Sequence, residues 1–408
     1  MSHFVIVGAG ECGARAAWTL REKGFDGDIT LIGNEPHAPY ERPPLSKAAL
    51  GDGQHPKYVA AEQRYAEERI ALLIGVAVEG LDVGARQLTL SDGRVLTYDK
   101  LLIATGSRPR LFPGAPVTSQ HIRLLRTHGD AVALRAAMQP GRHIAIIGGG
   151  FIGLELAATA CKLGATVTVI EGLERVLKRG VPEDIAATVT ARHSAEGVDV
   201  RCGVTIEALT EDAGKALVRL KGGDVIQADL ALVGIGAVPN TALAEQAGLA
   251  IDNGIAVDEQ LRTSAPDVYA AGDCCSFPLD LYGGKRVRLE SWRNAQEQGA
   301  MAAVNMMGGG ETISAVPWFW SDQYDMTLQI AGLAEGAVQH LRRDIGEGAF
   351  ILFHLDQAGR LIAASGIGPG NAVARDIRLA EMLIAARSHP DPQALVSAGV
   401  KLKSLLAA

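Results

Sequence analysis

Two glycine-spaced segments carry the residues with the clearest chemistry. The first is Gly8-Ala-Gly10-Glu-Cys-Gly13, with Glu35 22 residues beyond Gly13. The second is Gly148-Gly-Gly150-Phe-Ile-Gly153, with Glu171 18 residues beyond Gly153. In a G-x-G-x-x-G run the first glycine makes a tight turn. The second lets backbone approach a pyrophosphate at a helix N-terminus, and the third permits close helix–strand packing. The acid then accepts hydrogen bonds from a ribose diol. A carboxylate at Glu171 also repels a 2′-phosphate, which favours NADH over NADPH, although Arg175 stands nearby.

These residues need a strand before each glycine run and a helix after it. Apolar runs at 4–7 and 143–147 supply the strands. Helical spacing follows at 14–23 and 154–163, and second strands are expected at 28–32 and 166–170. The second unit puts Glu155 in the first turn of its helix, where the helix dipole alone favours a carboxylate. Two further apolar runs end in glycine and then proline, at 98–109 with Gly106 and at 228–240 with Gly234 and Gly236. They bracket the second fingerprint and suggest a domain inserted into another through two crossovers. A short strand then delivers Asp273 beside Gly272.

The expected fold class is α/β, with two Rossmann-like dinucleotide-binding domains and a C-terminal α+β domain. The expected boundaries are 1–110 with 240–315, an insert at 111–239, and 316–408 after a Gly308-Gly-Gly310 linker. In the last domain strands are expected at 327–332, 349–355 and 361–366, with a helix at about 371–387.

Composition narrows the function. The chain has 408 residues, 48 of them glycine, and a formal net charge of −7. It contains no long basic run, so nucleic acid is not an expected partner. No apolar run approaches the ~20 residues of a membrane helix. The N-terminus enters a strand pattern without a basic leader, which points to the cytoplasm. The five cysteines, Cys12, Cys161, Cys202, Cys274 and Cys275, fall in neither C-x-x-C nor zinc spacing, so no metal is expected.

Four stretches sharpen the reading: Pro39-Tyr-Glu-Arg-Pro-Pro-Leu-Ser-Lys47, Phe151-Ile-Gly-Leu-Glu155, Glu290-Ser-Trp-Arg-Asn-Ala-Gln-Glu-Gln-Gly299 and Trp318-Phe-Trp-Ser-Asp-Gln-Tyr-Asp325. With the fingerprints they make the chain resemble the oxygenase-coupled NADH–ferredoxin reductases, the putidaredoxin reductase and biphenyl dioxygenase ferredoxin reductase type. That family lies within the pyridine nucleotide–disulfide oxidoreductase superfamily. The resemblance covers nearly the whole chain. It implies FAD on the first fingerprint and NADH on the second.

By this resemblance Gly8, Gly10, Gly13 and Glu35 hold the ADP half of FAD. Arg42, Lys47, Val78 and Arg126 line the flavin nucleotide, Asp273 bonds the ribityl chain, and Trp292 lies near the isoalloxazine. Gly148, Gly150, Gly153, Glu171 and Gly236 hold NADH. Lys47 bonds near flavin N5, Glu155 pairs with Lys47 at the nicotinamide, and Trp320 stands beside both rings. Trp318 and Phe319 are equally well read as core.

Disulfide reductases of the superfamily carry a redox cysteine pair beside the flavin, and peroxidase or oxidase relatives carry one cysteine after the second strand. Residues 34–46 contain none. Cys12, inside the first fingerprint, reads as packing. Electrons are therefore expected to pass to an outside acceptor, one at a time to a [2Fe-2S] ferredoxin that serves a P450 or a ring-hydroxylating dioxygenase. Docking is expected to be transient and electrostatic. From residue 360 onward Arg360, Arg375, Arg378, Arg387, Lys401 and Lys403 face only Asp376, Glu381 and Asp391. The protein is expected as a monomer or homodimer. Other readings stay open: an NADH oxidase, a rubredoxin or nitrite reductase component, or a redox sensor like apoptosis-inducing factor.

Overall fold

A computed structural model describes residues 2–47, 55–116 and 118–406. The chain divides into two compact units. One comprises 1–41, 56–108 and 238–317, the other 42–55, 109–237 and 318–408.

The first unit is built on a five-stranded parallel sheet. Its strands run in the spatial order Val268–Ala270, Lys100–Ile103, His3–Val7, Asp28–Gly33 and Ile70–Ile74. Val5, Ile6, Leu31, Leu101, Leu102 and Ile103 are fully buried in it, as a sheet covered on both faces requires. Helix Glu11–Glu22 follows the first strand and packs against helix Trp292–Met306. Gly299 makes that approach possible, because a Cβ there would lie 2.3 Å from the Cys12 carbonyl oxygen. Strands Val78–Asp82, Gln87–Leu90 and Val95–Thr97 form an antiparallel meander before the fourth strand.

The second unit repeats this plan. Its parallel sheet runs Asp199–Cys202, Thr166–Glu171, His143–Ile147, Leu230–Val233 and Ile122–Arg123. The meander is Ile206–Asp212, Lys215–Leu220 and Val225–Ala228, and it shares a core with the sheet through Ala145, Ile147, Val218 and Val233. Both fingerprint helices start directly after their second glycine, at Glu11 and Phe151, three residues earlier than helical spacing suggests. The third glycine therefore lies inside the first turn and leaves no apolar mark there.

The same unit holds an antiparallel sheet in the order Trp318–Gln323, Met326–Gly332, Leu361–Pro369, Ala349–Leu355 and Gln339–Gly346. Helix Ala374–Ala385 packs on it. The expected strands and helix are present, and two edge strands join them. Strand Gln339–Gly346 buries only Arg343, whose guanidinium donates to the carbonyls of Leu395 (3.2 Å) and Val400 (2.7 Å). An edge strand carrying four charged or imidazole side chains offers no apolar alternation to read. Among the described residues no helix is long and apolar enough to cross a membrane. The architecture is α/β throughout the two parallel-sheet regions, with an α+β C-terminal part.

Candidate dinucleotide and redox sites

In the first unit, Gly8 has φ +118°, and a Cβ on it would lie 2.1 Å from the carbonyl oxygen of Ala104. Gly13 would meet the Gly8 carbonyl oxygen at 1.9 Å. Both are thus demanded by backbone packing. Gly10 differs: a Cβ there would meet nothing within 4 Å. It caps helix Glu11–Glu22 in an extended conformation and opens onto free space at the helix N-terminus. At the end of the second strand Glu35 accepts a 2.5 Å hydrogen bond from the Tyr40 hydroxyl. Asp273, in the short helical turn after Gly272, accepts from Ser107 Oγ at 3.1 Å. Trp292 opens its helix, where Ser291 Oγ accepts from the Asn294 amide at 3.3 Å. Val78 begins the meander, half-buried.

Glu11, not singled out from the sequence, lies in the first turn of the fingerprint helix. Its Oε1 accepts from Gln296 Nε2 at 2.8 Å, and burial pushes its carboxyl above the usual range despite that bond.

The second unit repeats the glycine geometry. Gly148 has φ +107° and would meet the Gly234 carbonyl oxygen at 2.4 Å, and Gly153 would meet the Gly148 carbonyl oxygen at 2.3 Å. Gly150 and Gly236 both face open space. Glu171 is held differently from Glu35. Its Oε2 accepts from the Gly149 amide at 2.7 Å and its Oε1 from the Leu173 amide at 2.8 Å. The guanidinium of Arg175 donates to the carbonyls of Val176 (3.2 Å) and Val181 (2.9 Å). Arg42 Nη1 donates to the Arg126 carbonyl at 2.6 Å, so two residues 84 positions apart are joined in this unit.

Lys47, Glu155 and Trp320 also come together here. Lys47 Nζ lies 3.4 Å from Glu155 Oε1 and 2.7 Å from Asp322 Oδ2, and sits 5.4 Å from the centre of the Trp320 ring. Trp318 stacks on Trp320, and Phe319 packs against Phe151. Glu155 is the fifth residue of helix Phe151–Lys162, in its second turn and not its first. The helix starts at Phe151, so its dipole end lies one turn away. Glu155 is instead buried at 7% exposure among donors: Ser46 Oγ at 2.5 Å, Ser321 Oγ at 2.6 Å and the Lys47 ammonium. A buried carboxylate needs such partners. Asp322, Ser46 and Ser321 lie within the quoted motifs but drew no role from the sequence. Ser46 closes the short helical turn Pro43–Ser46, and Ser321 and Asp322 follow directly on an aromatic run, so no apolar–polar alternation marks any of the three.

Cys12, Cys274 and Cys275 are buried and ill suited to redox exchange. Burial pushes the Cys12 and Cys275 thiols well above the usual range and raises Cys274 as well. Cys274 Sγ donates to the Ala271 carbonyl at 3.3 Å, and Cys275 Sγ to the Gly272 carbonyl at 3.4 Å. Protonated, inward-facing thiols are poor nucleophiles.

Residues 2–299 match the family model for pyridine nucleotide-disulphide oxidoreductases, and residues 318–406 match the reductase C-terminal model. The chain belongs to the pyridine nucleotide-disulphide oxidoreductase family. The ferredoxin–NAD(+) reductase component of the anthranilate 1,2-dioxygenase system from Burkholderia cepacia is 43% identical over 407 residues, which cover 99% of each chain. Putidaredoxin reductase from Pseudomonas putida is 38% identical across 99% of this chain and 96% of its own. Among solved structures, putidaredoxin reductase in its covalent complex with putidaredoxin superposes with a TM-score of 0.94 at 36% identity. That match covers 100% of this chain and 98% of that one.

Membership of the pyridine nucleotide-disulphide oxidoreductase family implies FAD and NADH. The residues present fit both. Each unit carries a helix N-terminus opened by a glycine with free space above it, and an acid at the end of the second strand.

Proposed function

We propose that the protein is an FAD-dependent NADH:ferredoxin reductase that supplies electrons to a P450 or a ring-hydroxylating dioxygenase through a [2Fe-2S] ferredoxin. End-to-end similarity to ferredoxin–NAD(+) reductase components carries this reading. The cysteines support it, because residues 34–46 hold none and all five are free thiols. Segments 1–110 and 240–315 form the FAD domain, 111–239 the NADH domain and 316–408 the C-terminal domain. The cytoplasm is the working compartment, and the protein acts as a monomer or homodimer.

Bound FAD supplies a hydride acceptor at N5 and a carrier that releases electrons singly. The chain's own residues bind, orient and shape charge. Gly8, Gly10, Gly13 and Glu35 receive the ADP half of FAD, with Val78, Arg42, Arg126, Asp273 and Trp292 along the rest. Gly148, Gly150, Gly153, Glu171 and Gly236 receive NADH. Arg175 spends its terminal nitrogens on backbone carbonyls, which supports a preference for NADH over NADPH. Lys47 stabilises negative charge near N5 by directed electrostatics. Glu155 and Asp322 hold its ammonium from two sides, and Trp320 offers a flat face to the reacting rings.

The ferredoxin face is basic but less so than the sequence suggests. Arg378 pairs with Glu381 at 2.7 Å and Arg360 with Asp356 at 3.2 Å.

The test is an anaerobic NADH titration followed by stopped-flow mixing with a [2Fe-2S] ferredoxin. Turnover is expected to be slow with O₂, fast with ferredoxin, and to fall as salt screens the docking charges. Rapid O₂ consumption without ferredoxin would overturn the reading in favour of an oxidase.

A further inference from the structure

A line of buried polar side chains in the second unit extends well past Glu155. Ser321, Gln323 and His193 are each fully buried. Ser321 and Gln323 share one face of strand Trp318–Gln323, and His193 lies on helix Glu183–Ala195. His193 Nε2 is 2.9 Å from Gln323 Oε1. Gln323 Nε2 donates to Ser321 Oγ at 2.9 Å, and Ser321 Oγ donates to Glu155 Oε1 at 2.6 Å.

The chemistry of each group fixes the direction of this chain. A carboxylate only accepts, so the single Ser321 hydroxyl proton goes to Glu155. Ser321 Oγ must then accept, and the Gln323 amide turns its NH₂ toward it. That leaves Gln323 Oε1 facing His193, whose Nε2 must carry the proton. Burial pushes the His193 pKa below the usual range, so the ring is neutral and Nδ1 is the bare nitrogen. Nδ1 is buried and has no hydrogen-bond partner. A buried, unpaired nitrogen is destabilising. His193 therefore engages hydrogen bonding through Nε2, toward Gln323.

We infer that His193 is a positioning residue for the Glu155 carboxylate, acting through Gln323 and Ser321. The inference rests on the reading of Glu155 as the partner of Lys47 at the nicotinamide. Without the His193 N–H, the Gln323 amide is free to turn over and present its oxygen to Ser321. The Ser321 hydroxyl then points away from Glu155 Oε1, and that oxygen keeps only Lys47. The charged groups around the chain act at its two ends. Lys47 contacts Glu155 and is shared with Asp322, while Arg192, paired with Glu196 and Asp325, lies beside His193. The Tyr324 ring meets the imidazole edge-on at 5.0 Å.

Nitrogen-15 NMR of histidine-labelled protein tests the relay without turnover. The His193 resonances, assigned by their loss in His193→Phe, are expected to report the Nε2–H tautomer and to shift in Glu155→Gln. Single-turnover kinetics of the FAD-loaded enzyme supply the second arm. His193→Phe keeps a ring against Tyr324 and removes the donor. It is expected to slow flavin reduction roughly tenfold, as a misaligned group does, with the NADH dissociation constant changed less than about twofold. Gln323→Leu should slow it equally, and the double variant no further, because both cut one chain. A His193 signal unmoved by Glu155→Gln would overturn the relay and leave the reading of Glu155 standing. Unchanged flavin reduction in Glu155→Ala would overturn that reading itself. Should His193→Phe fail to fold, His193→Gln, which keeps an N–H donor toward Gln323, supplies the assignment instead, and the Glu155→Gln spectrum still decides.

Discussion

The two parallel sheets are tied at corresponding points by the same bonds. The His3 amide donates to Asp99 at 2.7 Å, and the His143 amide to Asp229 at 2.9 Å. His3 Nε2 meets Thr30 Oγ1 at 2.8 Å, and His143 Nε2 meets Thr168 Oγ1 at 3.0 Å. Each first glycine donates its amide to the end of the second strand, Gly8 to Ile32 and Gly148 to Ile170, both at 2.8 Å. The likeness stops at the acids. Glu35 is held by a tyrosine hydroxyl, whereas Glu171 is held by two backbone amides, one from the glycine loop itself. These bonds of the scaffold are duplicated one for one, and the acids after the second strand are a point where the two units part. On the proposed assignment the shared bonds serve dinucleotide carriage in general, and the two acids serve the choice between FAD and NADH.

The largest expected effects come from filling each cradle in turn. Gly10 and Gly150 are extended, and a Cβ at either meets nothing, so valine fits the backbone at both. Gly10→Val is expected to fold and to lose FAD. Gly150→Val is expected to keep FAD and to weaken NADH binding by on the order of 100-fold, because the side chain occupies the space of a pyrophosphate. Flavin content by absorbance and NADH titration read the two outcomes. Equal loss of FAD in both variants would break the proposed division of labour. Gly8→Ala cannot serve, since its Cβ would strike the Ala104 carbonyl and distort the fold.

How much of this was legible beforehand differs between scaffold and site. The glycine positions were readable because sterics leave no other residue at Gly8 or Gly13. The buried strands were readable because burial on both faces makes unbroken apolar runs. Both fingerprint helices begin one turn before the apolar spacing does, because glycine fills their third position, Gly13 and Gly153. Lys47 and Glu155 were reached through motif resemblance. Ser46, Ser321, Gln323 and His193 were not, because their contacts join residues that are neighbours only after folding. Nothing within a local window distinguishes Ser321 from an ordinary strand serine.

The acids test the comparison at its point of difference. Glu171→Gln keeps one acceptor oxygen, so either the Gly149 or the Leu173 amide loses its partner. The glycine loop is then held less firmly and a charge that repels a 2′-phosphate is gone. NADH binding is expected to weaken about tenfold, and the preference over NADPH to shrink, as for loss of one charge-assisted hydrogen bond. Glu35→Gln should leave both nicotinamide nucleotides unaffected and lower FAD retention instead. Calorimetric titration with NADH and NADPH separates the two. A Glu171→Gln enzyme with unaltered nucleotide preference would show that the two acids do equivalent work.

The smallest effect is expected at the bond the two units share. Asp229 is half-buried, and its partial removal from water opposes ionisation. The His143 amide, Lys215 at 2.5 Å and Arg142 at 2.7 Å outweigh that and hold its carboxyl well below the usual range. Asp99 takes the matching amide bond from His3. A carboxyl depressed on folding stabilises the protein fully above its unfolded pKa of about 3.9, and that contribution is lost as pH falls through the folded value. Asp229→Asn is therefore expected to destabilise by roughly 1–3 kcal/mol near neutral pH, and the gap to wild type should close in acid. Asp99→Asn should cost less. Thermal midpoints across a pH series measure both. A gap that stays constant into acid would mean that Asp229 contributes through hydrogen-bond geometry alone, and that charge adds nothing to the tie the first unit also has.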